Sequence, residues 1–122
     1  MGEISRIVNG DFVRSVAGFR NWVTKDGAPG PSGEGGFKAE AGRYHLYVSY
    51  ACPWANRTLI FRALKGLEDV ISVSVVHPLL GSQGWCFDEY SGATGDQINN
   101  FSFLSEAYAA SVAQYHGPIT VP

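Results

Sequence analysis

Between Tyr44 and Tyr50 the chain reads YHLYVSY, an aromatic and β-branched run bounded by Gly42 and Pro53. That composition predicts a strand. Side chains alternate along a strand, so Tyr44, Leu46, Val48 and Tyr50 are expected to share one face of a sheet. From Pro53 to Lys65 the period lengthens. Ile60, Ala63, Leu64 and Leu67 recur at i, i+3, i+4 and i+7, the spacing of a helical apolar stripe. Pro53 suits the first helical position, where its missing N–H costs nothing, and Gly66 suits the exit. Asp69 to His77 then alternates apolar Ile71, Val73 and Val75 with Ser72 and Ser74, a second strand closed by Pro78. Strand, helix and strand in this order predict a βαβ unit with parallel strands.

The flanks are less periodic. Residues 1–43 read as an N-terminal extension with two aromatic anchors, Phe19 and Trp22, followed by the run APGPSGEGG from Ala28 to Gly36. Glycine and proline at that density exclude a helix or central strand and predict a surface loop. No strand is predicted before these glycines and no Gly-Lys-Ser/Thr follows them, so a phosphate-binding loop is not indicated. A glycine-containing loop is expected over residues 79–96. A second helix is expected over 97–114, with Phe101, Leu104, Ala107 and Tyr108 on one face and Gly117 and Pro118 ending it. Ile119 to Pro122 leads toward another strand. Residues 44–122 thus read as an incomplete α/β domain, since two strands and two helices leave open edges and uncovered apolar faces. The chain is expected to be a fragment of a longer protein.

Composition narrows the partners. The chain has 122 residues, 45% apolar and 16% charged, which predicts one packed domain rather than disorder. A formal charge of −2 and a pI near 5.8 argue against nucleic acid and against an anionic membrane surface. No apolar run approaches the roughly 20 residues of a membrane helix, and the start has no signal-like apolar region. Two cysteines, Cys52 and Cys86, are too few for a disulfide framework, so a soluble protein of the reducing cytoplasm is expected.

Cys52 falls where the first strand meets its helix, immediately before Pro53, and is the expected N-cap. Helix N-termini offer unpaired N–H groups and the positive end of the macrodipole, which favour a thiolate and make it reactive. Pro53 and Trp54 then form the helix start that supports the thiolate. In Cys52-Pro53-Trp54-Ala55 the place of a second redox cysteine is taken by Ala55, so a mixed disulfide at Cys52 needs an external thiol to resolve it. Glutathione is the abundant intracellular candidate. A buried, inert cysteine is the competing assignment; position before a helix-starting proline favours the reactive one. Cys86, between Trp85 and Phe87, is expected to pack, and Trp85 is either the wall of a ligand site or core. Asp88, Glu89 and Asp96 are expected to face solvent. No Cys/His spacing suggests zinc, so no metal is expected, and no G-x-S-x-G elbow is present.

The run from Gly36 to Phe87, with FRNWV at 19–23, GATGD at 92–96 and the terminal TVP, closely resembles the glutathionyl-hydroquinone reductases, the xi-class glutathione transferases. The resemblance implies a thioredoxin-like glutathione transferase N-terminal domain, here stopping before its last strands and before an all-helical C-terminal domain. It implies that Cys52 attacks the sulfur of a glutathionyl-hydroquinone, releases the hydroquinone and keeps glutathione as a mixed disulfide that a second glutathione resolves. By the same resemblance Trp85 contacts glutathione and Val121, before a cis Pro122, offers it backbone hydrogen bonds. The implied partners are glutathione as co-substrate, quinone-derived small molecules and a second copy of the full-length protein. Asn56 stands where the family usually has histidine, and Pro118 where it has an arginine that helps hold glutathione. A Glu-Ser pair gripping the γ-glutamyl group and the quinone pocket are expected beyond residue 122. The competing functional readings are a non-catalytic remnant and an omega-like thioltransferase or dehydroascorbate reductase.

Overall fold

In the computed structural model, residues 5–14 and 18–121 are described. The centre is the expected βαβ unit. Strand β5 (Tyr44–Val48) pairs in parallel with β6 (Ile71–Val75), with Tyr44 opposite Ile71 and Val48 opposite Val75, and α1 (Pro53–Leu64) forms the crossover. Four shorter strands precede it: β1 (Ser5–Val8), β2 (Asp11–Arg14), β3 (Val23–Thr24) and β4 (Phe37–Lys38). One helix, α2 (Leu104–Ser111), follows.

The extension contains short strands on either side of the glycine-rich run. β1 and β2 form an antiparallel hairpin closed by Asn9 and Gly10, both at positive φ, the backbone that matches a two-residue turn to strand twist. β3 and β4 pair in parallel and clamp the glycine-rich run between them, with Phe37 N–H donating to Trp22 O at 2.8 Å and Ala39 N–H to Thr24 O at 2.8 Å. Phe19 stacks on Tyr115 at 5.3 Å and contacts Tyr108 at 5.8 Å, so this anchor reaches the end of the described chain.

Each face of the β5–β6 pair packs on its own helix. Leu46, Val48, Val73 and Val75 join Ala55 and Leu59 of α1. The expected stripe of α1 is not its buried face: Ile60 is 50% exposed and Leu64 74%. The inner row is Ala55, Leu59 and Arg62, at i, i+4 and i+7. Ala55, fully buried, lets the helix backbone approach the sheet closely, and Arg62 turns inward because Ile71 O and Glu68 O accept its guanidinium N–H groups at 2.7 and 3.0 Å. Gly66, at φ 67°, ends the helix with N–H donation to Ala63 O at 3.1 Å.

The opposite face carries Val76, Phe87, Leu104, Ile119 and Val121, with Tyr47, Phe101, Ala107 and Tyr108 packed around them. The expected apolar face of the second helix is thus correct, but its limits are not. The helix begins only at Leu104 because Asp96, buried rather than solvent-facing, captures the N–H groups of Ile98, Asn99 and Phe101, and Asn100 takes φ 58°. Extended Phe103 precedes the helix, and Glu106 reaches back to accept the N–H groups of Ser102 and Phe103 at 2.7 and 3.0 Å. It stops at Ser111 because Val112 is extended.

Candidate functional site

Cys52 is the N-cap of α1, with φ −100° and ψ 118°, and Pro53 follows as the first helical residue. A tight turn delivers it there. Ser49, fully buried at the end of β5, accepts Ala51 N–H on its Oγ at 3.1 Å, and its carbonyl accepts Cys52 N–H at 3.2 Å. The Cys52 side chain makes no capping hydrogen bond and is half-buried, so its sulfur lies between the helix start and the core. Trp54, the next helical residue, is 53% exposed.

Cys52 and Trp85 pack on the same buried cluster, of which Val121 is a member at 3% exposure. Three of the residues singled out in the sequence therefore converge, and Pro53 and Trp54 open the helix beside them; Pro122 lies outside the described residues. Trp85 is held through its backbone: its carbonyl accepts Leu104 N–H at 3.0 Å, while Phe87 N–H donates to Ser102 O at 2.9 Å and Cys86 bridges Phe103 antiparallel. Cys86 also accepts His77 N–H on its carbonyl at 2.9 Å. Val121 is positioned by its neighbours, since Tyr108 donates its hydroxyl to Thr120 O at 3.0 Å and Tyr115 donates to Pro118 O at 2.7 Å.

A polar layer beneath the cluster was not singled out in the sequence. His45 bridges Ser72 Oγ and Ser74 Oγ on β6 at 2.6 and 2.7 Å, and its ring meets Tyr47 edge-on at 4.8 Å. Burial lowers the His45 pKa, opposed by the charge of Asp96. Tyr47 is raised by burial and by the neighbouring Asp96, with the Asn99 hydrogen bond working the other way. Burial alone would raise Asp96, but the donors Asn99, Ile98, Phe101 and Tyr47 prevail and hold its carboxyl below the usual value. Thr94 belongs to the same layer: it accepts Val75 N–H on Oγ1 at 2.8 Å and donates its own N–H to Val75 O at 3.1 Å, covering the outer edge of β6. For Thr94 and Asp96 the sequence signal is the short GATGD run, where Gly92 and Gly95 at positive φ let the loop turn back; His45, Ser72 and Ser74 carry no such signal. Among the described residues no group of three His, Cys, Asp or Glu side chains could hold a metal ion, and no helix is long and apolar enough to cross a membrane.

A cysteine at the helix start that follows a parallel strand, with Trp85 packed on the same cluster, places the fold with the thioredoxin-like part of glutathione transferases. The structure superposes on the xi glutathione transferase of Phanerochaete chrysosporium with a TM-score of 0.82 at 49% identity, covering 93% of this chain and 35% of that one. It superposes on glutathione-bound YqjG of Escherichia coli K-12 with a TM-score of 0.81 at 61% identity, covering 85% and 34%. In sequence it is 57% identical over 119 residues to the glutathionyl-hydroquinone reductase YqjG of that organism, covering 97% of this chain and 36% of the relative. It is 42% identical over 113 residues to the glutathionyl-hydroquinone reductase PcpF of Sphingobium chlorophenolicum, covering 93% and 33%. No protein-family model matches the chain. The chain is a homologue of the glutathionyl-hydroquinone reductases, the xi-class glutathione transferases, and spans about a third of the length of these relatives.

Proposed function

We propose that Cys52 is the nucleophile of a glutathione-dependent reductase acting on glutathionyl-hydroquinones. Its thiolate attacks the glutathione sulfur and a Cys52–glutathione disulfide forms. The bond from sulfur to the aromatic ring breaks, and the ring carbon takes the electron pair and a proton to leave as hydroquinone. A second glutathione thiolate then attacks the mixed disulfide, releasing oxidised glutathione and restoring Cys52. Trp85 and the backbone of Val121, which precedes Pro122, hold the glutathionyl group, with Pro53 and Trp54 supplying the helix start beside Cys52. The observation that carries the reading is the placement of Cys52 as the uncapped N-cap of α1, packed on the cluster that also receives Trp85.

Two linked measurements test it. Iodoacetamide at pH 7 is expected to alkylate Cys52 about tenfold faster than Cys86, because both side chains are half-buried and only Cys52 has helix-start N–H groups beside it to favour the reacting sulfur anion. Oxidised glutathione is expected to add one glutathione to the wild-type chain and to Cys86→Ser, and none to Cys52→Ser, by mass spectrometry. Equal alkylation of the two cysteines, or an adduct that survives Cys52→Ser, would overturn the assignment.

A further inference from the structure

Tyr47 and Asp96 take no part in the chemistry proposed at Cys52, yet they meet on the α2 face of the sheet. Tyr47 donates its hydroxyl to Asp96 Oδ1 at 3.0 Å and accepts Asn99 Nδ2 at 3.1 Å. Asp96, 5% exposed, also accepts the N–H groups of Ile98 and Asn99 on Oδ1 at 3.0 and 3.1 Å and that of Phe101 on Oδ2 at 3.1 Å. A buried carboxylate engaged on both oxygens fixes the backbone around it. The chain leaving this knot, Ser102 to Leu104, is the segment that pairs with Trp85 to Phe87. At the other end Tyr47 lies on β5, two residues before the Ser49 turn that delivers Cys52. A path of hydrogen bonds, continued through the chain from Phe101 to Leu104, therefore joins the strand leading to Cys52 with the carbonyl of Trp85. The backbone of Cys52 is held by other bonds, its N–H donating to Ser49 O at 3.2 Å and its carbonyl accepting Asn56 N–H at 3.0 Å, although its side chain packs on the same cluster as Tyr47 and Trp85.

We infer that Tyr47 and Asp96 are positioning residues that set Trp85 relative to Cys52, governing how tightly the glutathionyl group is held and leaving the reactivity of the sulfur unchanged. The inference rests on the roles proposed above for Cys52 and Trp85. It follows from the separate backbone hydrogen bonds of the two segments. Tyr47 and Asp96 hold the chain that bonds Trp85 O and Phe87 N–H, while the Cys52 N–H is bonded to Ser49 O, so cutting the Tyr47–Asp96 link loosens the Trp85 segment first.

The test uses Tyr47→Phe, which removes only the hydroxyl and keeps the ring contacts to His45 and Phe87, and Asp96→Asn as a second variant. Glutathionylation of Cys52 by oxidised glutathione is followed to saturation, beside its iodoacetamide rate and amide hydrogen exchange. The half-saturating concentration is expected to rise about tenfold, the loss of one hydrogen bond's worth of positioning. The limiting rate and the iodoacetamide rate are expected to stay within about twofold. Exchange at the Phe87 and Leu104 amides is expected to quicken about tenfold, while Val76, bonded to Val48 O, is unchanged. An unaltered half-saturating concentration in either folded variant, or an iodoacetamide rate that falls in step with it, overturns the inference. If the wild-type chain shows no saturable transfer, the glutathione reading fails by itself and exchange decides the linkage: quickening at Phe87 and Leu104 supports it, and unchanged protection overturns it.

Discussion

Cys52 was legible from its neighbours alone, because a cysteine between a β-branched run and Pro53 has its backbone environment written into adjacent positions. Trp85 was half legible: its glycine-flanked loop was evident, but its backbone anchor to Leu104 joins residues nineteen positions apart, a separation that no local pattern reports. Asp96 was misread for the same reason. An aspartate beside a glycine ordinarily faces water; the N–H groups of Ile98, Asn99 and Phe101 are local to it, but Tyr47 lies 49 positions away and only the fold brings it there. At this scale Pro118 is the departure with the clearest consequence. Its carbonyl accepts the Tyr115 hydroxyl, a contact that uses backbone only and survives a change of side chain. Pro118→Arg is therefore expected to fold and, by supplying a charge-assisted contact worth about 1.5–3 kcal/mol, to lower the half-saturating glutathione concentration by about tenfold or more. An unchanged concentration in saturation kinetics would count against a glutathione contact at this position.

The elements themselves were predicted where period and boundary agreed. β5, α1 and β6 fall where the alternation, Pro53 and Gly66 place them. The orientation of α1 was not, because period alone cannot choose between the Ile60–Leu64 row and the Ala55–Leu59–Arg62 row; the close approach permitted by Ala55 decides it. Mutational cost separates the two faces. Leu104→Ala, in the cluster at 1% exposure, is expected to lose about 2–5 kcal/mol, whereas Leu64→Ala, 74% exposed, should stay within about 0.5 kcal/mol in denaturant unfolding. Comparable losses would mean that the outer face of α1 is packed. The loop that shortens α2 gives a pH signature. Asp96 titrates below its unfolded value, so the unfolded state binds more protons as the solution is acidified. Its contribution is complete above the ordinary carboxylate value of about 4 and disappears as pH falls through the folded value. His45, also lowered, weakens the fold with the same sign at higher pH, below about 6.5. The Asp96 part is isolated by comparison with Asp96→Asn: wild type should be more stable by about 1–3 kcal/mol at pH 6, with the gap closing toward pH 2. A gap independent of pH would show that the carboxylate charge contributes nothing.

Across the whole molecule, the ratio of surface to core sets the behaviour. The chain exposes 8349 Å², against about 6,400 Å² for a compact monomer of its 13.2 kDa. Phe61, Leu64, Leu79 and Ile98 are among the large apolar side chains more than half exposed, and the two core clusters are small. A parallel pair of strands with one helix on each face buries little apolar area per ordered residue, while the conformational entropy lost on folding scales with every residue fixed. The expected result is a broad thermal transition below about 50 °C with a shallow denaturant dependence, since the slope follows the surface exposed on unfolding. The outer face of α1 should also bind a hydrophobic fluorescent dye in the native state, because contiguous exposed apolar groups of this kind are scarce on stable monomers. Replacing Phe61 and Leu64 together by serine should reduce that dye signal while leaving the β5–β6 amides protected, as neither side chain belongs to a core cluster. A sharp, concentration-independent transition well above 50 °C, with no dye bound by the wild-type chain, would mean that these side chains are covered and that the small core is not what limits the fold.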